Sequence, residues 1–339
     1  LTGRDKGTAR NKKLIDLKEG KTNIIIGTHA LFQADVVFKD LRLAVVDEQH
    51  RFGVRQRLEL GKKGSVVDLL LMTATPIPRS LALAHYGDMD FSIIKQKPPG
   101  RKPINTALIS SSRIDEVVDK LKNSLAKGAQ AYWVCPLIEE SEVLHYTAAE
   151  RRFEKLRAKL GEGVVELVHG KMSSDTKDEI MDRFTNGKTK LLVATTVIEV
   201  GVNVPKANIM VVENAEKFGL AQLHQLRGRV GRGTNQSTCL FLYKEPLNST
   251  SKKRLSILRE TEDGFKISEV DLSLRGSGDA IGTAQSGLPR FRMANNEMIE
   301  MLMETAHQQA RYLLAKDPNL ETPQGKAVRN LLWLMDQDK

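Results

Sequence analysis

Leu41-Arg42-Leu43-Ala44-Val45-Val46-Asp47-Glu48-Gln49-His50 is an apolar run that stops abruptly in two acids. Near-continuous apolar strands are expected where helices cover both faces of a parallel sheet. Such sheets bind ligands in the crevice at the C-terminal ends of their strands. Nucleotide hydrolysis needs one carboxylate aimed at Mg²⁺ and a second group that orients the attacking water. Asp47 and Glu48 supply both from the end of one strand, although two acids after a strand also arise by chance.

Outward from this stretch, short β-branched runs alternate with helical patterns, the mark of βαβ units. Residues 23–27, 41–47 and 66–72 are predicted strands. The segment Lys95-Gln96-Lys97-Pro98-Pro99-Gly100-Arg101-Lys102-Pro103 reads as a linker, because its prolines fit neither a helix interior nor a central strand. A domain boundary is placed there, giving 1–97, a linker at 98–103, 104–250 and 251–339.

Beyond the linker the alternation restarts. Strands are expected at 104–109, 129–134, 164–168, 190–194, 207–213 and 237–242, with helices near 113–127, 147–160, 173–185 and 219–227. Val117, Val118, Leu121 and Leu125 form one apolar stripe, and Ser173 or Ser174 is the expected cap of the third helix. From about residue 250 the pattern is mostly helical, with a glycine-rich interruption at 275–287. Met298, Met301, Leu302 and Met303 read as packing residues.

Lys and Arg exceed Asp and Glu, 52 against 42, for a formal net charge of +10, which suits a polyanionic partner. No apolar run approaches the ~20 residues of a membrane helix, and the start at Leu1 carries no signal-peptide pattern. Cys135 and Cys239 lie in strand-like runs and are expected to be buried, reduced thiols.

Two further stretches carry chemistry. Thr73-Ala74-Thr75-Pro76 follows the 66–72 strand; alone it reads as an ordinary turn. Gln225-Leu226-Arg227-Gly228-Arg229-Val230-Gly231-Arg232 interleaves arginines with glycines. Glycines let backbone approach a phosphate closely, and arginine suits bidentate oxyanion contact.

In order, these three stretches resemble motifs II, III and VI of superfamily 2 helicases. Thr195 to Pro205 resembles motif V and Gly27-Thr28-His29-Ala30-Leu31 motif Ib, while His169-Gly170-Lys171-Met172 matches the segment after the second domain's third strand. The closer resemblance is to the RecG family of branched-DNA helicases. It rests on Asp47 to Val54, on Phe218 to Gln225, and on Asp271 to Gly287, which looks like the TRG motif shared with the transcription-repair coupling factors. Gln49, Leu288 to Arg292 and the final helices favour the RecG family, and the resemblance runs over essentially the whole chain.

The resemblance implies tandem RecA-like α/β domains, the first one truncated, followed by a mostly helical TRG region. It implies ATP and Mg²⁺ as cofactors, with Asp47 as the Mg²⁺ carboxylate, Glu48 acting on the attacking water, and Arg229 and Arg232 as arginine fingers. Gln49, His50, Thr73, Thr75, Gly201, Asn203 and Gln225 would serve the nucleotide and its coupling to DNA. Thr28, His29, Thr195 and Thr196 would contact DNA, and Arg275, Gly276, Gly278, Asp279 and Gln285 would form the translocation lever. Branched or double-stranded DNA is the implied partner and a bacterial cytoplasm the implied location. Asn203 stands where the family has Asp, Ser277 replaces a common Pro, and Asn214 a common Arg.

A Walker A loop is not found. It needs Gly, four residues, then Gly-Lys-Ser/Thr opening a helix. Gly20-Lys21-Thr22 has Ile15 at the first glycine position and Gly187-Lys188-Thr189 has Asp182. The resemblance places that loop and a wedge domain upstream of Leu1, so the chain alone is expected not to hydrolyse ATP. Two other readings compete: a coupling-factor-like double-stranded DNA translocase, and a non-catalytic nucleic-acid-binding module.

Overall fold

The computed structural model describes residues 1–48, 59–74, 90, 92–94, 96–136, 142–195, 204–275 and 296–336. It divides into two compact units, Leu1–Pro76 and Ile77–Lys339, and each is described by itself. The proline-rich segment 98–103 lies inside the second unit.

In the first unit, helix α1 (Gly7–Glu19) ends at Gly20, whose φ of 75° is the left-handed conformation that glycine adopts at low cost. Strands β1 (Leu43–Val46) and β2 (Asp68–Leu71) pair in parallel, with Val46 opposite Leu71. Ala44 and Val46 are buried beside Leu60, with Leu41, Val67 and Leu69 packed around them. Leu43 and Val45 on the other face are 59% and 53% exposed. Near-continuous apolar strands suit a sheet covered on both faces; among the described residues only one face of this pair is covered.

The predicted strand at 23–27 does not form. Ile24 and Ile26 are exposed. The Ile26 carbonyl instead accepts from the Leu1 backbone nitrogen at 2.6 Å, and the Thr28 N–H donates to the Leu1 carbonyl at 3.1 Å. A strand needs a neighbour's backbone to complete its hydrogen bonds, and none of the described strands lies beside this segment.

Among the described residues the second unit is built on six parallel strands: β3 (Ile104–Ser110), β4 (Gln130–Val134), β5 (Val165–Val168), β6 (Leu191–Ala194), β7 (Ala207–Val212) and β8 (Ser237–Tyr243). Their order across the sheet is β3-β8-β7-β4-β6-β5. Helices α2 (Ile114–Ala126), α3 (Glu142–Leu160), α4 (Ser174–Thr185) and α5 (Leu220–Arg227) connect them, and α6 (Ser249–Glu260), α7 (Gly264–Arg275), α8 (Asn296–Lys316) and α9 (Pro323–Asp336) follow. Every predicted strand of this unit forms within a residue or so of its expected bounds, and α3 starts five residues early.

Alternate residues of the same strands enter two cores. Tyr132, Leu192, Met210 and Phe241 join one with Phe184 and Leu223. Trp133, Leu191, Val193 and Val211 join the other with Val117, Leu121 and Leu156. A sheet covered on both faces explains why these strands read as continuous apolar runs. The α2 stripe is buried as expected, and Ser173 caps α4, its Oγ accepting from the Thr176 N–H at 3.1 Å.

The expectation for Met298, Met301 and Leu302 is corrected: all three stand exposed on α8. That helix also exposes Tyr312, which at 3.6 residues per turn lies on the same face as these three, and Leu314 on another. The side chain of Met303 lies outside the described residues.

Candidate active site

Asp47 immediately follows β1, and Met72-Thr73 follow β2. The Met72 N–H donates to the Val46 carbonyl at 2.8 Å, carrying the parallel ladder one step further. Asp47 and Thr73 therefore stand at the same C-terminal edge of the two-stranded sheet. Asp47 is exposed, and its Oδ1 accepts the Glu48 N–H at 2.8 Å. Glu48 has φ 53°, a region that non-glycine residues rarely enter and that clusters at functional sites. This left-handed step turns the chain immediately after Asp47.

Among the described residues no group of three or more His, Cys, Asp or Glu is placed to hold a metal. Mg²⁺ does not require one: it keeps several waters and binds through one or two carboxylates plus substrate phosphates. An exposed aspartate at a strand end, with a second carboxylate next to it, fits such an ion.

The arginine-glycine stretch of the second unit resolves into two parts. Arg227 ends α5 and is 1% exposed. Its guanidinium donates to the Leu258 carbonyl, to the Thr261 carbonyl at 2.9 Å and toward His224 Nδ1 at 2.9 Å. The Arg227 guanidinium is thus a structural bolt between α5 and the end of α6, whereas the sequence reading took the arginines of this stretch together as suited to oxyanion contact. Burial, with Arg227 and Lys97 beside it, lowers the His224 imidazole to about 4, so the ring is neutral and accepts from Arg227. After Gly228 the chain turns through Arg229 and Val230 to Gly231, whose φ is 78°. A Cβ on Gly231 would lie 3.0 Å from the Ile104 side chain, so both the turn and the close approach of β3 demand glycine. Arg229 and Arg232 remain half-buried. Arg232 Nε donates to the Gly228 carbonyl at 3.3 Å, and its guanidinium is held below its usual range by burial, then by Arg229 and Arg101.

Of the other predicted residues, Thr28 and His29 are exposed at a short 3-10 turn, His29–Phe32. Gln225 is half-buried on α5. Thr195, just past β6, is fully buried, and its Oγ1 finds no hydrogen-bond partner among the described residues. Arg275 closes α7, with its side chain outside the described residues. Gln49, His50, Thr75, Thr196, Gly201, Asn203, Gly276, Gly278, Asp279 and Gln285 also lie outside them.

Two clusters have no signal in the sequence. At the C-terminal edge of the large sheet, Glu213 accepts from Trp133 Nε1 and from Arg152, whose terminal nitrogen lies 3.1 Å away. This fixes α3 against the strand ends. At the opposite edge, the Glu262 carboxylate accepts from Lys97 Nζ and from the Ile104 N–H. Partners so distant in sequence leave no local pattern to read.

Three family models match successive stretches of the chain: "DEAD/DEAH box helicase" at residues 1–83, "Helicase conserved C-terminal domain" at 113–234, and "ATP-dependent DNA helicase RecG, domain 3, C-terminal" at 261–337. The ATP-dependent DNA helicase RecG of Pasteurella multocida is 51% identical over 95% of this chain and 47% of its own length. That of Bacillus subtilis is 47% identical over 100% of this chain and 50% of its own length. A solved structure of RecG bound to a three-way DNA junction matches with a TM-score of 0.68 and 41% identity, covering 91% of this chain and 39% of that one. At 17% identity and a TM-score of 0.57, Mycobacterium smegmatis helicase Lhr shares the fold. The chain spans about half the length of the curated relatives it matches, and over that span it belongs to the RecG family of ATP-dependent DNA helicases.

Proposed function

We propose that this chain is the motor portion of an ATP-dependent DNA helicase that remodels branched DNA, such as stalled replication forks and Holliday junctions. The observation that carries the reading is the acidic pair at the C-terminal edge of a parallel sheet, Asp47 exposed and Glu48 in a left-handed turn, in a chain about half identical to RecG helicases. Asp47 holds Mg²⁺, and Glu48 orients the attacking water and takes its proton. Mg²⁺, when bound, neutralises charge building on the transferred phosphoryl group. Arg229 and Arg232 supply guanidinium groups for the phosphate oxygens; such arginines are worth ~10³–10⁵ in rate in other NTPases. Thr73, Thr75, Gln49, His50 and Gln225 belong to the nucleotide side, and Thr28, His29, Thr195 and Thr196 to the DNA side.

The division into 1–97, 104–250 and 251–339, the lever at 275–287 and a bacterial cytoplasmic location are parts of the same proposal. A RecG-type reading is favoured over a coupling-factor type by the match of residues 261–337 to the RecG domain 3 model.

The phosphate cradle is proposed to come from outside these 339 residues. Gly20-Lys21-Thr22 lies at the C-terminal end of α1, and Gly187-Lys188-Thr189 follows α4. Both are the electronegative ends of helices, which repel phosphate, whereas a Walker A loop uses a helix N-terminus. The test is ATPase activity with forked DNA, comparing this chain with one extended upstream through a glycine-rich loop. Turnover is expected only from the extended form, and Glu48→Gln should abolish it. An extended form that stays inactive with Glu48 intact sinks the motor assignment.

A further inference from the structure

Between the proline-rich segment and the arginine-glycine stretch, one cavity of the second unit stands apart by its charge. It measures about 180 Å³ and is walled by the proline-rich segment, the Gly228–Gly231 turn and Glu262. Its permanent charges are Lys97, Arg101, Lys102 and Arg227 against the single carboxylate of Glu262. His224 also lines it but is neutral near pH 7, so it offsets nothing.

The cations divide by what they already do. Arg227 is spent on the Leu258 and Thr261 carbonyls and His224, and Lys97 on Glu262. The side chains of Arg101 and Lys102 are exposed and make no hydrogen bond or ion pair with another described residue. Burial first, then repulsion from Arg227 and Arg101, lowers the Lys97 ammonium. An arrangement with surplus cations and donors still free is relieved by an anion.

We propose that this cavity binds a phosphate-class oxyanion, with Arg101 making a forked contact and Lys102 a point-charge contact, in the field of Arg227 and Lys97. Arginine's planar fork matches tetrahedral oxyanions, and lysine adds charge without geometry. The oxyanion is either free phosphate or a backbone phosphodiester of nucleic acid. In the cavity it competes with Glu262 for Lys97. The proposed contacts include none of Asp47, Glu48, Arg229 or Arg232, although the turn that walls the cavity carries Arg229 and Arg101 acts on the Arg232 guanidinium.

The test uses the full 339-residue chain. Inorganic phosphate is titrated calorimetrically at constant ionic strength, with chloride as the replaced ion, and an oligothymidylate is titrated in parallel. Both are repeated on R101A/K102A and on K252A/K253A, which removes two exposed lysines of α6 and leaves the cavity intact. Saturable phosphate binding, weakened at least tenfold in R101A/K102A alone, supports the site with free phosphate as its ligand. Oligothymidylate binding that weakens at least tenfold in R101A/K102A alone, without saturable phosphate binding, supports it with a phosphodiester ligand. Binding no different from chloride for both probes, or equal losses in the two double variants, overturns it.

Discussion

Replacing Arg227 by Met would test how the arginine-rich stretch is built. Leu258 lies in the last turn of α6 and Thr261 just beyond it, so the buried guanidinium caps carbonyls that a helix C-terminus leaves without partners. Methionine keeps most of the volume, so the cavity penalty is small. What is lost is hydrogen bonding to two carbonyls, at ~1–3 kcal/mol for each one left buried and unsatisfied, with ~0.3–1 kcal/mol more from a cation at a helix C-terminus. Part of this is returned because the charge no longer has to be desolvated. A net loss of about 2–4 kcal/mol follows. Urea unfolding monitored by Trp133, which is fully buried in the sheet, reads it out in a Trp333→Phe background. NMR titration of His224 gives a second readout. Its value should rise once the neighbouring cation is gone, yet stay below 6.5, because burial is the larger cause of its depression. A loss under about 1 kcal/mol would show that the carbonyls find other donors and that Arg227 is not a cap.

Other outcomes can be checked on the same chain. Because the His224 value is lowered from 6.5 to about 4, the unfolded state binds the extra proton, and stability is lost as pH falls from about 6.5 toward 4. The loss is on the order of 2 kcal/mol at pH 5, and His224→Gln should flatten that part of the pH profile of urea unfolding. Cys135 and Cys239 are buried, and burial pushes the Cys239 thiol up to about 12; Ellman's reagent should modify neither until the chain is unfolded. Gly231→Ala should cost about 1–2 kcal/mol from its left-handed backbone, with a further penalty from the Ile104 contact, measurable as a drop in the denaturation midpoint.

The second unit was legible because its sheet is covered on both sides. Each strand keeps its apolar run, and α2 keeps its stripe of Val117, Val118, Leu121 and Leu125. The 23–27 segment misled for a related reason. Asn23 to Gly27 carries the same residue types, but strand formation depends on a neighbour's backbone, which no local pattern encodes. The acidic pair was legible as a motif, whereas the left-handed backbone of Glu48 was not, since glutamate carries no signal for positive φ. Arg227 and Arg229 look alike in sequence; only the arrival of the α6 carbonyls separates a buried cap from a half-exposed cation. The links of Glu213 to Arg152 and of Glu262 to Lys97 join residues far apart in the chain, so folding alone makes them apparent.

The strand order has a consequence for synthesis. In the described sheet β3 pairs with β8 alone, so the first strand of this unit to leave the ribosome waits for the last. At ~5–20 residues per second the wait is on the order of ten seconds. Throughout it Ile104, Leu108 and Ile109 belong to an apolar segment whose backbone lacks its β8 partner, the condition that invites pairing with another chain. A nascent chain stalled before Ser237 would therefore be drawn toward aggregation or a chaperone, and completion of β8 is the event that removes the hazard.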